Sequence, residues 1–342
     1  YTTIDKPKLH FNTKLYTGNG GTQSITGVGF QPDLTWIKER NNAVSHQVFD
    51  VIRGATKRIY PDDPSAENTN AYSLTSFDTD GFSLGNAGST NGSSDTYVSW
   101  NWKANGAGSA NTDGTIASTV SANTTAGFSI VSWSGTGIAG TIGTGLNAVP
   151  KMIIVKSRTN GADWWGTYHY SLGNGKAVFL NDTAAEGTRT YWNNTTPTSS
   201  VFSVSNERSV NGSGETFIAY CFAPVTGFSA MGSYVGNGNS DGPVILTGHK
   251  PAMVIIKRTD NTSGANWLLL DSVRNDINVV NKNLFANLTD AETSTDRCNF
   301  LSNGFKLIQS GSTVNASGGT YIYLSFASAS FVSSGNVPCT AF

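Results

Sequence analysis

Charge is what this sequence has least of. Lys and Arg number 22 and Asp and Glu 23, together 13% of 342 residues, and the formal net charge is −1. A soluble domain ordinarily carries roughly 25% charged residues. Without a basic surplus, recognition of nucleic acid through its phosphates is excluded. The long, charge-laced helices of coiled coils are excluded as well. No stretch of about 18 apolar residues occurs, so no membrane-spanning helix and no membrane insertion are expected. Tyr1 to Phe11 holds Lys6, Lys8 and His10 but no apolar h-region, so no signal peptide is expected there. Cysteine is scarce too: Cys221, Cys298 and Cys339 are an odd set without close spacing, which argues against a disulfide framework and a zinc site.

What the chain does have is glycine, 38 residues, and aromatics, 11%. It also has repetition, the first thing to seek in a chain of this kind. Three segments open on an aromatic strand and a Gly-rich turn: LYTGNGG from Leu15, IVSWSGTG from Ile130 and MGSYVGNG from Met231. Each is followed by a proline, an apolar run and a lysine six residues on: Pro32 to Lys38, Pro150 to Lys156 and Pro251 to Lys257. Arg40, Arg158 and Arg258 stand close behind the lysines. Each closes on an asparagine, a polar turn and an aromatic alternating strand: Asn91 before TYVSWNW, Asn211 before TFIAYCF and Asn315 before TYIYLSF. The proline-to-asparagine intervals are 59, 61 and 64 residues.

Three homologous units follow, each all-β. Proline suits the first residue of a strand, where no ladder N–H is lost. The runs behind it are short and rich in Ile, Val, Met and Trp. TYVSWNW reads as a half-buried strand of period two, and the Asn-Gly pairs at 91–92 and 211–212 as tight hairpin turns. Many short strands in about 100 residues fit antiparallel β-sandwiches, so the expected fold is all-β with three tandem sandwich domains. Helix is nearly absent, with one turn conceivable at Thr289 to Asp296. The expected division is an N-terminal arm (1–14), repeat 1 (15–105), a Gly/Ser/Thr/Asn-rich linker (106–126), repeat 2 (127–226), repeat 3 (227–328) and a C-terminal tail (329–342) anchored by Phe331, Val337 and Phe342.

Chemistry-bearing groups are sparse. His10, His46, His169 and His249 are far apart, with no partner at metal-ligand spacing. A glycosidase needs two carboxylates facing one another, but Asp163, Glu186, Glu207 and Glu215 fall in polar turns. Asp78 and Asp80 precede a Gly-Phe that recurs at Gly304-Phe305, which marks a hairpin and not a calcium loop. No catalytic residue, metal site or cofactor is expected. Asp-x-x-Arg occurs twice, at Asp50/Arg53 and Asp271/Arg274, and reads as an internal ion pair. Trp164, Trp165, Tyr191 and Trp192 lie in Gly-rich surroundings and are the candidate platform for stacking on a glycan.

The segments YTGNGGTQSITGVGFQPDLTWIK, FDVIRGATKRIY, TSFDTDGFSLG, NGSSDTYVSWNWKA, APVTGFSAMGSYVGNG and FLSNGFKLIQS resemble a repeat of marine tailed-bacteriophage proteins labelled tail-fibre or structural proteins. The resemblance covers roughly residues 10–328 and fades at SFASASFVSSGNVPCTAF. It implies a lectin-like sandwich, similar to laminin-G or concanavalin-type jelly rolls, on the exterior of a virion. The expected function is therefore a non-enzymatic tail-fibre or spike-type adhesion protein. Its expected partners are other virion proteins and a host-surface glycan, in a homo-oligomer with a trimer favoured. Two alternatives stand beside it: a capsid decoration or head-fibre protein, and a secreted, extracellular carbohydrate-binding module.

Overall fold

The proline-led strands lie inside three sheets that share one strand order. The structure, a computed structural model, describes residues 2–340; Tyr1 and the expected tail anchor Phe342 lie outside the described residues. Repeat 1 comprises β1 (Phe11–Thr17), β2 (Gln23–Thr26), β3 (Leu34–Glu39), β4 (Gln47–Asp50), β5 (Lys57–Arg58), β6 (Asn68–Thr69), β7 (Leu74–Asp78), β8 (Gly81–Leu84), α1 (Gly88–Asn91) and β9 (Thr96–Trp102). A hairpin of β10 (Ser109–Asn111) and β11 (Ser118–Asn123) follows. Repeat 2 holds β12 (Phe128–Ser134), β13 (Gly140–Gly143), β14 (Met152–Ser157), β15 (Gly166–His169), β16 (Lys176–Phe179), β17 (Gly187–Thr188), β18 (Val201–Val204), α2 (Arg208–Asn211) and β19 (Thr216–Phe222). Repeat 3 holds β20 (Ser229–Val235), β21 (Val244–Leu246), β22 (His249–Arg258), β23 (Leu268–Asp271), β24 (Val280–Phe285), β25 (Thr293–Leu301), β26 (Gly304–Leu307) and β27 (Thr320–Ser330).

The main sheets run β1-β9-β3-β4, β12-β19-β14-β15-β16 and β20-β27-β22-β23-β24, so in each the last strand of the repeat lies between its first and its proline-led strand. All ladders within them are antiparallel. Smaller ladders, β2-β8-β7, β13-β18 and β21-β26-β25, complete the β-sandwich character. Pro32 and Pro150 precede their strands, whereas Pro251 lies within β22 at a break in register, the bulge position where a missing N–H is tolerated.

The closing strands are buried on both faces, not one. In β9 the side chains of Val98, Trp100 and Trp102 enter a core shared by all three repeats, while Tyr97 enters the private core of repeat 1. Ile218, Tyr220 and Phe222 alternate in the same way with Phe217, Ala219 and Cys221, as do Ile322, Leu324 and Phe326 with Tyr321 and Tyr323. Period two survives, but both phases are buried, the second including the polar Ser99, Asn101 and Ser325. The rings of Trp102, Phe222 and Phe326 converge at one end of the shared core, 5.7 Å from Trp102 to Phe326 and 5.9 Å from Phe222 to Phe326.

Five local expectations are corrected. The N-terminal arm ends before Phe11, which opens β1 and is buried in the shared core. The expected tail anchors Phe331 and Val337 are exposed. The segment 106–126 contains β10 and β11, and β11 pairs with β12 from Ser118↔Trp133 to Asn123↔Phe128. Its small Ser, Thr and Ala residues leave little apolar signature, although Ile116 and Val120 reach the core of repeat 2. The segment from Thr289 makes no helical turn; β25 begins at Thr293. Asn91 and Asn211 are not hairpin-turn residues but the last residues of the one-turn helices α1 and α2, and Gly92 has φ −59°. The left-handed position falls three residues after each asparagine, at Ser94 (φ 68°), Gly214 (φ 77°) and Gly318 (φ 70°).

The asparagines themselves are buried staples. The Oδ1 atoms of Asn91, Asn211 and Asn315 accept from the N–H of Asn19 (3.0 Å), Thr136 (3.0 Å) and Asn237 (2.8 Å) in the Gly-rich turn of the same repeat. Their amide groups donate to carbonyls of Gly85, Ser205 and Gln309 at 2.8, 3.2 and 2.8 Å. Both functions of each buried amide are thereby satisfied.

Candidate functional site

The four aromatic residues read as a glycan platform do not assemble one. Trp165 and Trp192 are each 1% exposed and Tyr191 is buried; Trp164 alone is open, at 40%. Trp165 Nε1 donates to the carbonyl of Tyr60 in repeat 1 at 2.9 Å, and Trp192 Nε1 donates to the carbonyl of Lys176 at 3.0 Å. Trp164 rests edge-on against Phe179, with centroids 4.8 Å apart. A buried indole needs an acceptor for its N–H, and each of these two finds one in a backbone carbonyl distant in sequence.

The carboxylates also have local duties. Asp163 accepts from Arg208 (2.9 Å) and Ser209 (3.1 Å); Glu215 accepts from Ser157 and Asn160, both at 2.9 Å; Glu207 accepts from Thr190 at 3.0 Å. Asp80 caps the backbone N–H groups of Gly27 (2.9 Å) and Gly29 (2.6 Å). Among the described residues, no group of three or more His, Cys, Asp or Glu is placed to hold a metal ion. All three cysteines are free thiols, and burial pushes Cys221 up to about 12.

Polar chemistry concentrates instead at the three seams between repeats, which are related by the internal repetition. Each seam is tied by the backbone N–H of a glutamate donating to a carbonyl of the next repeat: Glu67 to Arg158 (2.8 Å), Glu186 to Thr259 (2.7 Å) and Glu292 to Arg40 (2.7 Å). Each also carries a ring N–H aimed at a backbone carbonyl across it. Trp165 reaches Tyr60, Trp267 Nε1 reaches Phe179 at 2.7 Å, and His46 Nε2 lies 3.0 Å from the carbonyl of Phe285. Trp36 Nε1 donates to His46 Nδ1 at 2.8 Å, so Nε2 holds the proton and donates. His46 is thus a neutral structural imidazole, and burial holds its pKa well below the ordinary value.

A buried lysine closes the proline-led strand of each repeat. Lys38 Nζ donates to the carbonyls of Glu39 (2.6 Å) and Asn42 (3.3 Å), and Lys156 Nζ to those of Ser157 (2.8 Å) and Asn160 (3.2 Å). Lys257 Nζ bonds the carbonyl of Ala265 (2.6 Å) and, across the seam, that of Thr183 (3.1 Å). Burial lowers Lys38 and Lys156 to about 8 and Lys257 to about 7, with nearby carboxylates offsetting only part of the effect.

Two seams carry a charge network that the third lacks. At the seam of repeats 1 and 2, Glu67 takes two bonds from Arg158 (3.0 and 3.1 Å) and lies 3.5 Å from Arg53. At the seam of repeats 3 and 1, Glu292 takes two bonds from Arg40 (3.0 and 2.8 Å) and one from Arg274 (3.2 Å). Burial works against the Glu292 charge, but its arginine partners outweigh that and hold its pKa below the ordinary value. Behind each glutamate, the Asp-x-x-Arg pairs are fully buried: Arg53 Nε to Asp50 at 2.5 Å and Arg274 Nε to Asp271 at 2.6 Å. Each aspartate reaches into the neighbouring repeat, where Tyr220 Oη donates to Asp50 (2.8 Å) and Trp100 Nε1 to Asp271 (3.0 Å).

At the seam of repeats 2 and 3 the same positions are His169 for the aspartate, Leu172 for its arginine and Thr259 for the seam arginine. These matches follow from the ladder pairs Leu34↔Asp50, Met152↔His169 and Met253↔Asp271, and from the shared strand-end bonds of Arg40, Arg158 and Thr259. The equivalent of Arg40 is therefore Thr259 and not Arg258, which pairs with Asp260 at 2.9 Å. Glu186 keeps only a lysine, Lys176. A cleft of about 370 Å³ opens there, lined by Leu172, Lys176, Glu186, Thr259, Tyr234 and Val235 among others. On the axis of the three repeats, by contrast, the cavity between Trp36, Trp165, Tyr220 and Leu324 is about 20 Å³ and walled by apolar side chains. It is too small for any ligand beyond a water molecule, which its walls would not bind.

A family model described as a domain of unknown function, DUF7483, matches residues 6–330, all three repeats together. No curated protein and no solved structure matches the chain.

Proposed function

The chain belongs to the DUF7483 domain family, and on the resemblance of its repeat segments we propose that it is a non-enzymatic structural protein of a tailed-bacteriophage virion, a tail-fibre or spike-type protein displayed on the particle exterior. In this reading its repeats are lectin-like jelly rolls, and its partners are other virion proteins and a host-surface glycan. The observation that carries the reading is how the ionisable side chains are used. Arg53, Arg274, Glu67, Glu292, His46 and Lys257 are committed to the seams that close three repeats around one core, and Lys38 and Lys156 to closing the ends of their own strands. A low-charge body closed in this way suits mechanical display. The second reading, a capsid decoration protein, is favoured by one feature: the two terminal segments lie together. Ser334 bonds Asp5 at 2.9 Å and Ser330 bonds the carbonyl of Ile4 at 3.2 Å, which offers a single attachment end.

Gold-labelled antibody fragments against the chain, imaged on purified particles of a phage encoding it, test both. Label at the tail supports the fibre reading, label over the head supports decoration, and particles without label overturn the virion assignment. Light scattering adds the oligomeric state. Three times the 36.1 kDa chain mass fits a trimeric fibre, whereas the single chain mass means that the internal threefold arrangement stands in for one.

A further inference from the structure

The cleft between repeats 2 and 3 lies where the other two seams carry arginines. At the two closed seams the glutamate sits among guanidinium groups, and its side chain is 10% exposed in both Glu67 and Glu292. At the open seam the backbone tie of Glu186 is retained at 2.7 Å, so the carboxylate is delivered to the same place. Its side chain is 27% exposed. The two arginine positions facing it are Leu172 and Thr259, and both line the cleft. Lys176 does not close the site. Its counterpart Lys57 lies 3.9 Å from Glu67 while Glu67 also accepts both bonds from Arg158. One carboxylate thus accommodates a lysine and a bidentate guanidinium at once.

We infer that this cleft is a binding site for a guanidinium group supplied from outside the chain, held by Glu186 as Arg158 is held by Glu67 and Arg40 by Glu292. Carboxylate and guanidinium match in a planar two-bond fork that an ammonium cannot reproduce. The remaining lining supports the stem of such a ligand: Leu172, Val235 and Ile322 are apolar, and Ser171, Ser233 and Thr320 offer hydroxyls at the rim. The inference does not depend on the virion reading, since it rests on the comparison of three seams within one chain.

The test is an amide NMR titration of the full chain with three probes: agmatine, N-acetyl-arginine amide and N-acetyl-lysine amide. Saturable shifts at Glu186, Thr259 and Thr320 are expected with the guanidinium probes and not with the lysine probe. Stronger binding of the blocked arginine identifies a protein side chain as the natural source; stronger binding of agmatine identifies a small guanidinium compound. Thr259→Arg, which rebuilds the missing clamp, is expected to raise the melting temperature and abolish the response. Glu186→Gln abolishes it without filling the cleft, and so serves if the first variant does not fold. No saturable shift, an equal response to lysine, or a response that survives Glu186→Gln overturns the inference.

Discussion

Glu67 and Arg158 hold one another twice. The Glu67 backbone N–H donates to the Arg158 carbonyl at 2.8 Å, and the Arg158 guanidinium returns two bonds to the Glu67 carboxylate at 3.0 and 3.1 Å. Main chain and side chain therefore fix the same seam. Arg158→Ala keeps the first tie and loses the second, leaving a mostly buried carboxylate with weaker partners. The expected loss is about 1–3 kcal/mol of unfolding free energy, measured by chemical denaturation. Thr259→Ala, at the equivalent position of the open seam, is expected to cost less than Arg158→Ala. Equal losses at the two positions would show that the guanidinium clamp adds nothing to the seam.

A deeper loss is expected behind that clamp. Arg53→Met strands Asp50 with only the Tyr220 hydroxyl and the backbone N–H of residue 53 as donors in a fully buried site. Breaking a buried pair from one side costs about 3–5 kcal/mol, because a charge remains without its partner. Asp50→Asn in the Arg53→Met background removes that charge and is expected to restore part of the stability. A double variant no more stable than Arg53→Met alone would place the cost in lost packing.

The repeats, the strands and the Asp-x-x-Arg pairs were legible because each is local: a proline, a run and a lysine recur at fixed spacing. The seams were not. Glu67 and Arg158 are 91 positions apart, and no periodicity links them. The open seam was hidden further by Arg258, which stands one residue short of the true equivalent, Thr259. The small residues of β11 carry too little apolar signal to separate a strand from a linker. The tryptophans misled for a related reason: Gly and Asn beside an aromatic mark a turn, but a turn can lie over a core as readily as over solvent.

That misreading has a direct check. Trp192 is buried against Tyr168, with ring centroids 5.7 Å apart, whereas Trp164 is largely open. Trp192→Ala is expected to cost about 3–5 kcal/mol, and Trp164→Ala less than about 1 kcal/mol. Thermal unfolding of the two variants separates them. Near-wild-type stability for Trp192→Ala would return it to the list of surface residues.

The buried lysines give the chain a distinctive response to alkali. Lys156 falls from 10.5 to about 8 on folding and Lys257 to about 7, each because burial disfavours its charge. Between the folded and unfolded values the unfolded chain binds the extra proton, so stability rises with pH. Each lysine contributes a slope of up to about 1.4 kcal/mol per pH unit in that interval. The buried thiols oppose this trend: Cys221 is raised on folding, so its contribution is lost once the unfolded thiol ionises above the ordinary value of 9.0. The lysine effect is therefore isolated by difference. Stability of wild type minus that of Lys156→Met, from denaturant midpoints at constant ionic strength, is expected to increase steadily from about pH 8 to pH 10. A difference that stays flat across that range would mean that Lys156 remains protonated in the fold, its charge held by the carbonyls of Ser157 and Asn160 and the nearby carboxylates.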